Sequence, residues 1–171
     1  MKRWDVRTIA LVVVMMAVVA AITRAVQIPV PETKGYIHFG DIGANFAALA
    51  FGPWLGFLIA GGGMAIADLL SPYLIYAPGT LVIHGVQAVV VAYLGQNRKL
   101  WLMFLAAIAG GIVVVGGYFL YQRLILGYGV VVALAEVPFN ILQVLTGLVG
   151  VPLYMLVSRA YPPLARWAQR R

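Results

Sequence analysis

Between residues 8 and 26 the chain carries one charged side chain, Arg24, and comparably apolar runs recur up to a basic tail. Apolar stretches above about 18 residues read as membrane spans. The composition agrees. Of 171 residues, 63% are apolar and 10% charged, against roughly 45–50% and about 25% in a soluble domain. Too few polar side chains remain to cover a water-facing surface, so lipid must be the solvent. The first segment is basic and then apolar, as in a signal peptide. Its apolar run is too long for an h-region, however, and no small-x-small cleavage site precedes a polar domain. It is read as a retained span. The absence of cysteine removes disulfides, thiolate chemistry and cysteine-based metal sites.

The net charge of +7 invites a nucleic-acid reading, but its distribution argues against one. Lys2, Arg3 and Arg7 flank the first span, Arg98 and Lys99 share a loop, and Arg159, Arg166, Arg170 and Arg171 lie in the tail. These nine fall on one side if the spans alternate, and only three, Arg24, Lys34 and Arg123, fall on the other. Such a bias marks cytoplasmic loops. The expectation is an all-α membrane protein of six transmembrane helices, both termini cytoplasmic, forming a single domain over residues 1–171.

The spans are predicted at residues 8–27, 41–51, 54–70, 80–94, 100–126 and 132–157. Pro29 and Pro31 end the first, and Gly52-Pro53 breaks the second from the third. The outer loops are residues 32–40, 71–79 and 127–129, the inner turn is residues 96–99, and Tyr161-Pro162-Pro163 ends the last span. The second and third spans are shorter than the roughly 20 residues of a straight crossing.

Polar residues inside lipid are functional-site hypotheses by default, and here they form stripes. Glu136, Asn140 and Gln143 recur at i, i+4, i+7; so do Thr80, His84 and Gln87; Asp41 and Asn45 stand at i, i+4. Each set occupies one helix face in the outer half of its helix. A channel needs polar lining from side to side. Three stripes that stop halfway describe a cup open to the outside, although polar groups of this kind also tie helices together at roughly 0.6 kcal/mol each. Asp41 follows Gly40 at a helix start, where a carboxylate caps free amides, and Asp68 sits where it can brace the loop of residues 71–79. Both are read as structural. Glu136 heads its stripe and is the better ligand contact. Tyr36, Phe39, Tyr73, Tyr76 and Tyr118 form either an interfacial aromatic belt or a stacking surface for a ring-shaped ligand.

His38 and His84 lack soft ligands nearby, so no metal site and no cofactor are expected. There is no G-x-x-x-x-G-K-[ST], G-x-S-x-G or H-E-x-x-H. ATP binding through a P-loop and these hydrolytic chemistries are therefore excluded, and uphill import would need an outside energy source. Gly61-Gly62-Gly63 reads as close helix packing. On the first span, Ala17, Ala21 and Ala25 make a strip of small side chains that lets another helix approach, either within this chain or from a partner subunit.

Gly40-Asp41, Ala47-Ala48, Phe51-Gly52-Pro53, Gly56, Ala67-Asp68-Leu69-Leu70, Ala77-Pro78-Gly79-Thr80 and Gly85 together resemble the substrate-specific S components of energy-coupling factor (ECF) transporters. The likeness is to the branch containing hydroxymethylpyrimidine and riboflavin-like S components. It implies a six-helix subunit that captures a vitamin or precursor outside the cell. Such a subunit then topples in the membrane while docked on a transmembrane T subunit driven by two ATPases. The family's A-x-x-x-A contact strip maps onto Ala17 and Ala21, and its lid loop onto residues 32–39. One departure concerns the fourth helix, where a Gly-Lys pair of many relatives reads His84-Gly85.

The sequence therefore predicts the substrate-binding subunit of a vitamin importer in a prokaryotic plasma membrane. Its substrate is a small, neutral or weakly basic heteroaromatic solute such as hydroxymethylpyrimidine or a pyridoxine-like compound, with riboflavin as the alternative. The candidate contacts are Glu136, Asn140, Gln143, His84, Gln87, Asn45, Tyr36 and Tyr118. The cup has no deep lysine or arginine for a strongly anionic ligand. A solitary carrier or channel, or a small membrane enzyme, are the rivals.

Overall fold

The computed structural model describes residues 5–96 and 98–164. Lys2, Arg3, Asn97, Arg166, Arg170 and Arg171 lie outside the described residues. Helix α1 (Val6–Ala25) starts at Asp5, whose carboxylate accepts from the Thr8 amide at 2.8 Å, satisfying one of the free amides of the first turn. Strands β1 (Gln27–Val30) and β2 (Gly35–His38) follow as an antiparallel hairpin, with Gln27 opposite His38 and Val30 opposite Gly35. Helix α2 (Gly40–Phe51) runs to Gly52. A helical run over Pro53–Leu69 is then built from α3 (Pro53–Phe57), a π-turn (Leu58–Gly62) and α4 (Gly63–Leu69). A 3-10 turn (Leu74–Tyr76) leads into α5 (Ala77–Gly95). Helix α6 (Leu100–Leu120) ends in a π-turn (Tyr121–Ile125), and α7 (Val130–Gly147) and α8 (Gly150–Ala160) complete the fold.

Among the described residues, four helical runs are long and apolar enough to cross a membrane: Val6–Ala25, Leu74–Gly95, Leu100–Ile125 and Val130–Ala160. Helix α5 is the central one, with 56% of its window buried against 28–33% in the other three. The 12 residues of α2 reach only about 18 Å at 1.5 Å per residue, as the Gly52-Pro53 break leads one to expect. Gly52 has φ +83 and ψ −177, a region open essentially to glycine, and Pro53 opens the next helix at a position that needs no amide.

The fold departs from the expected one in three places. The chain is not wholly α-helical, because the segment after α1 forms the hairpin. Strand β2 is buried throughout, and its amides and carbonyls pair with those of β1. The turn at residues 31–34 is held by Thr33, which donates to Val30 O and accepts from the Gly35 amide at 3.2 Å, and Lys34 adopts φ +53. Second, Ala77-Pro78-Gly79 is not loop but the first turn of α5; proline is tolerated there because its missing amide would be unbonded anyway. Third, the last apolar run breaks between Gly147 and Gly150. A Cβ at Gly147 would collide with Asp41, and one at Gly150 with the Ile42 carbonyl, so the break falls where α2 packs closely against the run.

The apolar core gathers Val12, Val19, Leu49, Ile59, Met64, Val91 and Val151 among α1, α2, the π-turn, α4, α5 and α8. The glycine run acts as expected: a Cβ at Gly61 would meet the Leu81 carbonyl of α5, and one at Gly63 the backbone of α1 at Met16. Every described Lys and Arg is exposed, whereas Asp41, Asp68 and Glu136 are buried.

Candidate functional site

The polar stripes of α2, α5 and α7 converge. Asp41 is their hub. Its Oδ1 accepts from Gln87 Nε2 at 2.5 Å and its Oδ2 from Gln143 Nε2 at 2.6 Å. Gln87 Oε1 pairs with His84 Nδ1 at 2.6 Å, and His84 Nδ1 lies 3.6 Å from Asp41 Oδ1. The capping role read for Asp41 from sequence is corrected: its carboxylate is taken by Gln87 and Gln143, and the first amide of α2, on Gly40, is held by His38 Nδ1. There it ties α2 to α5 and α7 through two buried amides that would otherwise lack an acceptor.

A second group surrounds a small cavity lined by Gly35, Tyr36, His38, Asp68, Tyr76, Thr80, Tyr118, Glu136 and Gln143. Glu136 Oε2 accepts from Gln122 Nε2 at 2.5 Å. Thr80 Oγ1 and Tyr118 Oη are 2.8 Å apart. Asp68 does not brace the following loop through its carboxylate; its Oδ1 accepts from the Tyr36 hydroxyl at 2.5 Å. The space left for the centre of a water-sized sphere is ≈ 10 Å³, about room for one water. The expected open cup is thus closed, and a heteroaromatic ring enters only if the surrounding groups move apart.

The β-hairpin closes it. Four contacts pin the hairpin to the helices: Tyr36 to Asp68; the His38 amide to Gln143 Oε1 at 3.1 Å; the Tyr76 hydroxyl to the Thr33 carbonyl at 2.7 Å; and Gly35 against Glu136, where an added Cβ would lie 2.9 Å from Oε2. The Tyr36 ring stacks on Tyr73 at 4.1 Å between centroids. Burial, with the Asp68 carboxylate beside it, pushes the Tyr36 phenol upward, so it stays a donor at physiological pH. Burial, with His84 as neighbour, holds the His38 imidazole well below its ordinary value. A neutral ring agrees with its Nδ1 accepting from the Gly40 amide at 3.1 Å.

Of the residues expected from sequence, Tyr36, Tyr118, Glu136 and Gln143 line the cavity. His84 and Gln87 do not line it; they belong to the Asp41 hub, which reaches the cavity through Gln143. Asn140 is buried beside Glu136, and Asn45 ties α2 to the Gly147 carbonyl at 2.9 Å; neither lines the cavity. Sequence reasoning missed Asp68 and Gln122. The signal for Asp68 was a carboxylate at the outer end of a span among tyrosines. Among the described residues no group of three or more His, Asp or Glu converges to hold a metal.

On the far side of α1 from its buried face (Thr8, Val12, Val19, Ala20 and Thr23), Ala17, Ala21 and Ala25 are exposed. The strip therefore does not pack within the described chain.

Residues 3–159 match the family model of the ECF-type riboflavin transporter, S component. The chain is 36% identical over 149 residues to the gap 3′-region protein of Pyrococcus woesei, covering 85% of this chain and 99% of that one. It is 31% identical over 150 residues to the thiamine precursor transporter HmpT of Lactococcus lactis subsp. cremoris, covering 87% and 86%. In fold it is similar to FolT bound with folic acid (TM-score 0.71, 19% identity, 92% and 95% covered). It is likewise similar to the S component of a bacterial ECF transporter (TM-score 0.66, 16% identity, 92% and 96% covered). The chain belongs to the S components of ECF transporters, membrane subunits that bind substrate for transport and are not enzymes.

Proposed function

We propose that this S component captures a hydroxymethylpyrimidine-like vitamin precursor from outside a prokaryotic cell and delivers it through partner subunits. The reading rests on one observation: a closed pocket of hydroxyl, amide and carboxylate side chains, with no lysine or arginine in its lining, in an otherwise apolar protein. Such a pocket suits a small neutral or weakly basic ring carrying several hydrogen-bonding groups. Likeness to the thiamine precursor transporter HmpT supports the same substrate class. Glu136, Gln143, Tyr36 and Tyr118 contact the ligand, while Asn140, His84, Gln87 and Asn45 hold the wall, and the hairpin lifts to admit it.

In this reading the chain is one membrane domain that crosses six times, with Gly40–Phe51 and Pro53–Leu69 as the two short crossings and both termini cytoplasmic. The exposed Ala17, Ala21 and Ala25 receive a transmembrane T subunit, which two ATPases drive.

A thermal-shift screen of the purified protein against B vitamins and their precursors tests the substrate. Stabilisation by 4-amino-5-hydroxymethyl-2-methylpyrimidine at micromolar concentration, with uptake lost in cells lacking the energising subunits, is the expected outcome. Stabilisation by another vitamin alone would overturn the substrate. Full uptake without the energising subunits would favour a solitary carrier.

A further inference from the structure

Three of the chain's five acidic residues, Asp41, Asp68 and Glu136, are buried, and no described lysine or arginine joins them. They are not equivalent. Asp41 is spent on Gln87 and Gln143, one oxygen each. Glu136 holds Gln122 and abuts the hairpin at Gly35. Asp68 is half used. Its Oδ1 takes the Tyr36 hydroxyl, whereas its Oδ2, in a side chain only 1% exposed, has no hydrogen-bond partner. Thr80 on α5 also lines the cavity and flanks this carboxylate, and its hydroxyl lies 2.8 Å from Tyr118 Oη, where either of the two can donate.

A buried carboxylate oxygen left unpaired costs free energy, and native proteins leave few such groups. This one belongs to a cavity-lining residue, among groups that a ring could contact. The other oxygen of the same carboxylate holds the hairpin that closes the site.

We propose that Asp68 is the specificity-determining residue of the pocket. Its Oδ2 accepts an N–H from an exocyclic amino group on the ligand's ring, while its Oδ1 holds the closing hairpin through Tyr36. The inference rests on the heteroaromatic-importer reading and adds to it the chemical group that the site demands. While ionised, a carboxylate held in place offers only acceptors. A ring without an N–H leaves Oδ2 unpaired, and a ring presenting a carbonyl there meets repulsion. A site built around one hydrogen bond discriminates more strongly against its absence than an apolar pocket does against a change in size.

The test is a cycle that changes protein and ligand together, by titration calorimetry on the full chain in nanodiscs. The probes are 4-amino-5-hydroxymethyl-2-methylpyrimidine, its 4-desamino counterpart and pyridoxine. The wild type is expected to bind the amino compound at least about tenfold more tightly than the desamino compound, and Asp68→Asn to erase most of that preference. A merely structural Asp68 would weaken both ligands equally, leaving the ratio unchanged. An unchanged ratio, or a wild type that binds the desamino compound or pyridoxine as well as the amino one, overturns the Asp68 assignment and leaves the importer reading standing. A wild type that binds none of the three overturns the substrate reading, and this assignment with it. Should Asp68→Asn fail to fold, the wild-type ratio decides, together with Tyr36→Phe, which spares Oδ2 and should keep the preference.

Discussion

Gln143 on α7 donates to Asp41 on α2 at 2.6 Å across 102 residues of sequence, and the other end of the same amide accepts from the His38 backbone of the hairpin. One glutamine side chain thus joins the helix hub to the closing strand. Gln87 holds the second oxygen of Asp41 from α5. The hub fixes the mutual positions of α2, α5 and α7 before any ligand arrives, which is the preorganisation that a small binding site needs.

Asp41→Ala should destabilise the protein by about 2–4 kcal/mol, because it strands two buried amides that now share a charged acceptor. That exceeds the roughly 0.6 kcal/mol of an average hydrogen bond between membrane helices. Asp41→Asn should cost less, since it retains one acceptor. Thermal unfolding in detergent compares the three proteins. An Asp41→Ala variant as stable as the wild type would show that the hub contributes nothing to the fold.

Tyr36→Phe keeps the ring that stacks on Tyr73 and removes the hydroxyl that reaches Asp68. Hydrogen bonds to charged groups contribute about 1.5–3 kcal/mol. Ligand dissociation should accelerate roughly 10- to 150-fold while association changes little, because the contact exists only in the closed state. Rapid dilution of preloaded protein measures the two rates. A dissociation rate equal to that of the wild type would mean that Tyr36 is no latch.

The closed hairpin should also weaken in acid. His38 is buried and neutral, with its ordinary value near 6.5 lowered by burial and by His84. The open or unfolded chain binds a proton there below about pH 6.5, whereas the closed form does not, so stability is full above that pH and falls as acid is added. The limit is about 1.4 kcal/mol per pH unit for one group. Melting curves at pH 7 and pH 5 for the wild type and His38→Gln test this. The variant should lose less stability across that interval, and equal losses in both would remove His38 as the cause.

The helices were readable because lipid forces apolar runs and punctuates them with proline and glycine, as at Gly52-Pro53. The polar stripes were readable because an amide or carboxylate within a span stands out. The hairpin was not, since residues 27–38 carry two prolines and a glycine that read equally well as loop. Its pairing depends on the polar floor beneath it, which no local pattern records. The partners of Asp41 and Asp68 were not legible, because a carboxylate near a helix end fits a capping pattern, whereas the amides of Gln87 and Gln143 and the Tyr36 hydroxyl reach them from distant parts of the chain. Gln122 escaped because it lies in a π-turn, whose wider winding shifts side chains off the face that a 3.6-residue period assigns.

The nine-to-three basic bias predicts that both ends of the chain face the cytoplasm. Single cysteines at positions 2 and 170 should stay unlabelled by a membrane-impermeant maleimide in intact cells and become labelled after permeabilisation. Labelling of either from outside would refute this topology.

Coupling to the energising subunits should separate cleanly from ligand capture. Ala17 and Ala21 are exposed on α1, opposite the side that buries Val12 and Val19 in the core. Leucine at both positions adds bulk to an exposed surface, so the fold should be spared. In lipid, close approach of small residues supplies much of the attraction between helices, and bulk there keeps a partner helix away. The double variant Ala17→Leu, Ala21→Leu should therefore bind ligand with the wild-type Kd as an isolated subunit. Its co-purification with the T subunit and its uptake in whole cells should fall to the level of cells lacking the ATPases. Neither the polar cavity nor the hairpin contacts involve these two alanines, so a loss of ligand binding in the variant would show instead that α1 shapes the site. Wild-type uptake by a stably expressed double variant would exclude this face of α1 as the docking surface.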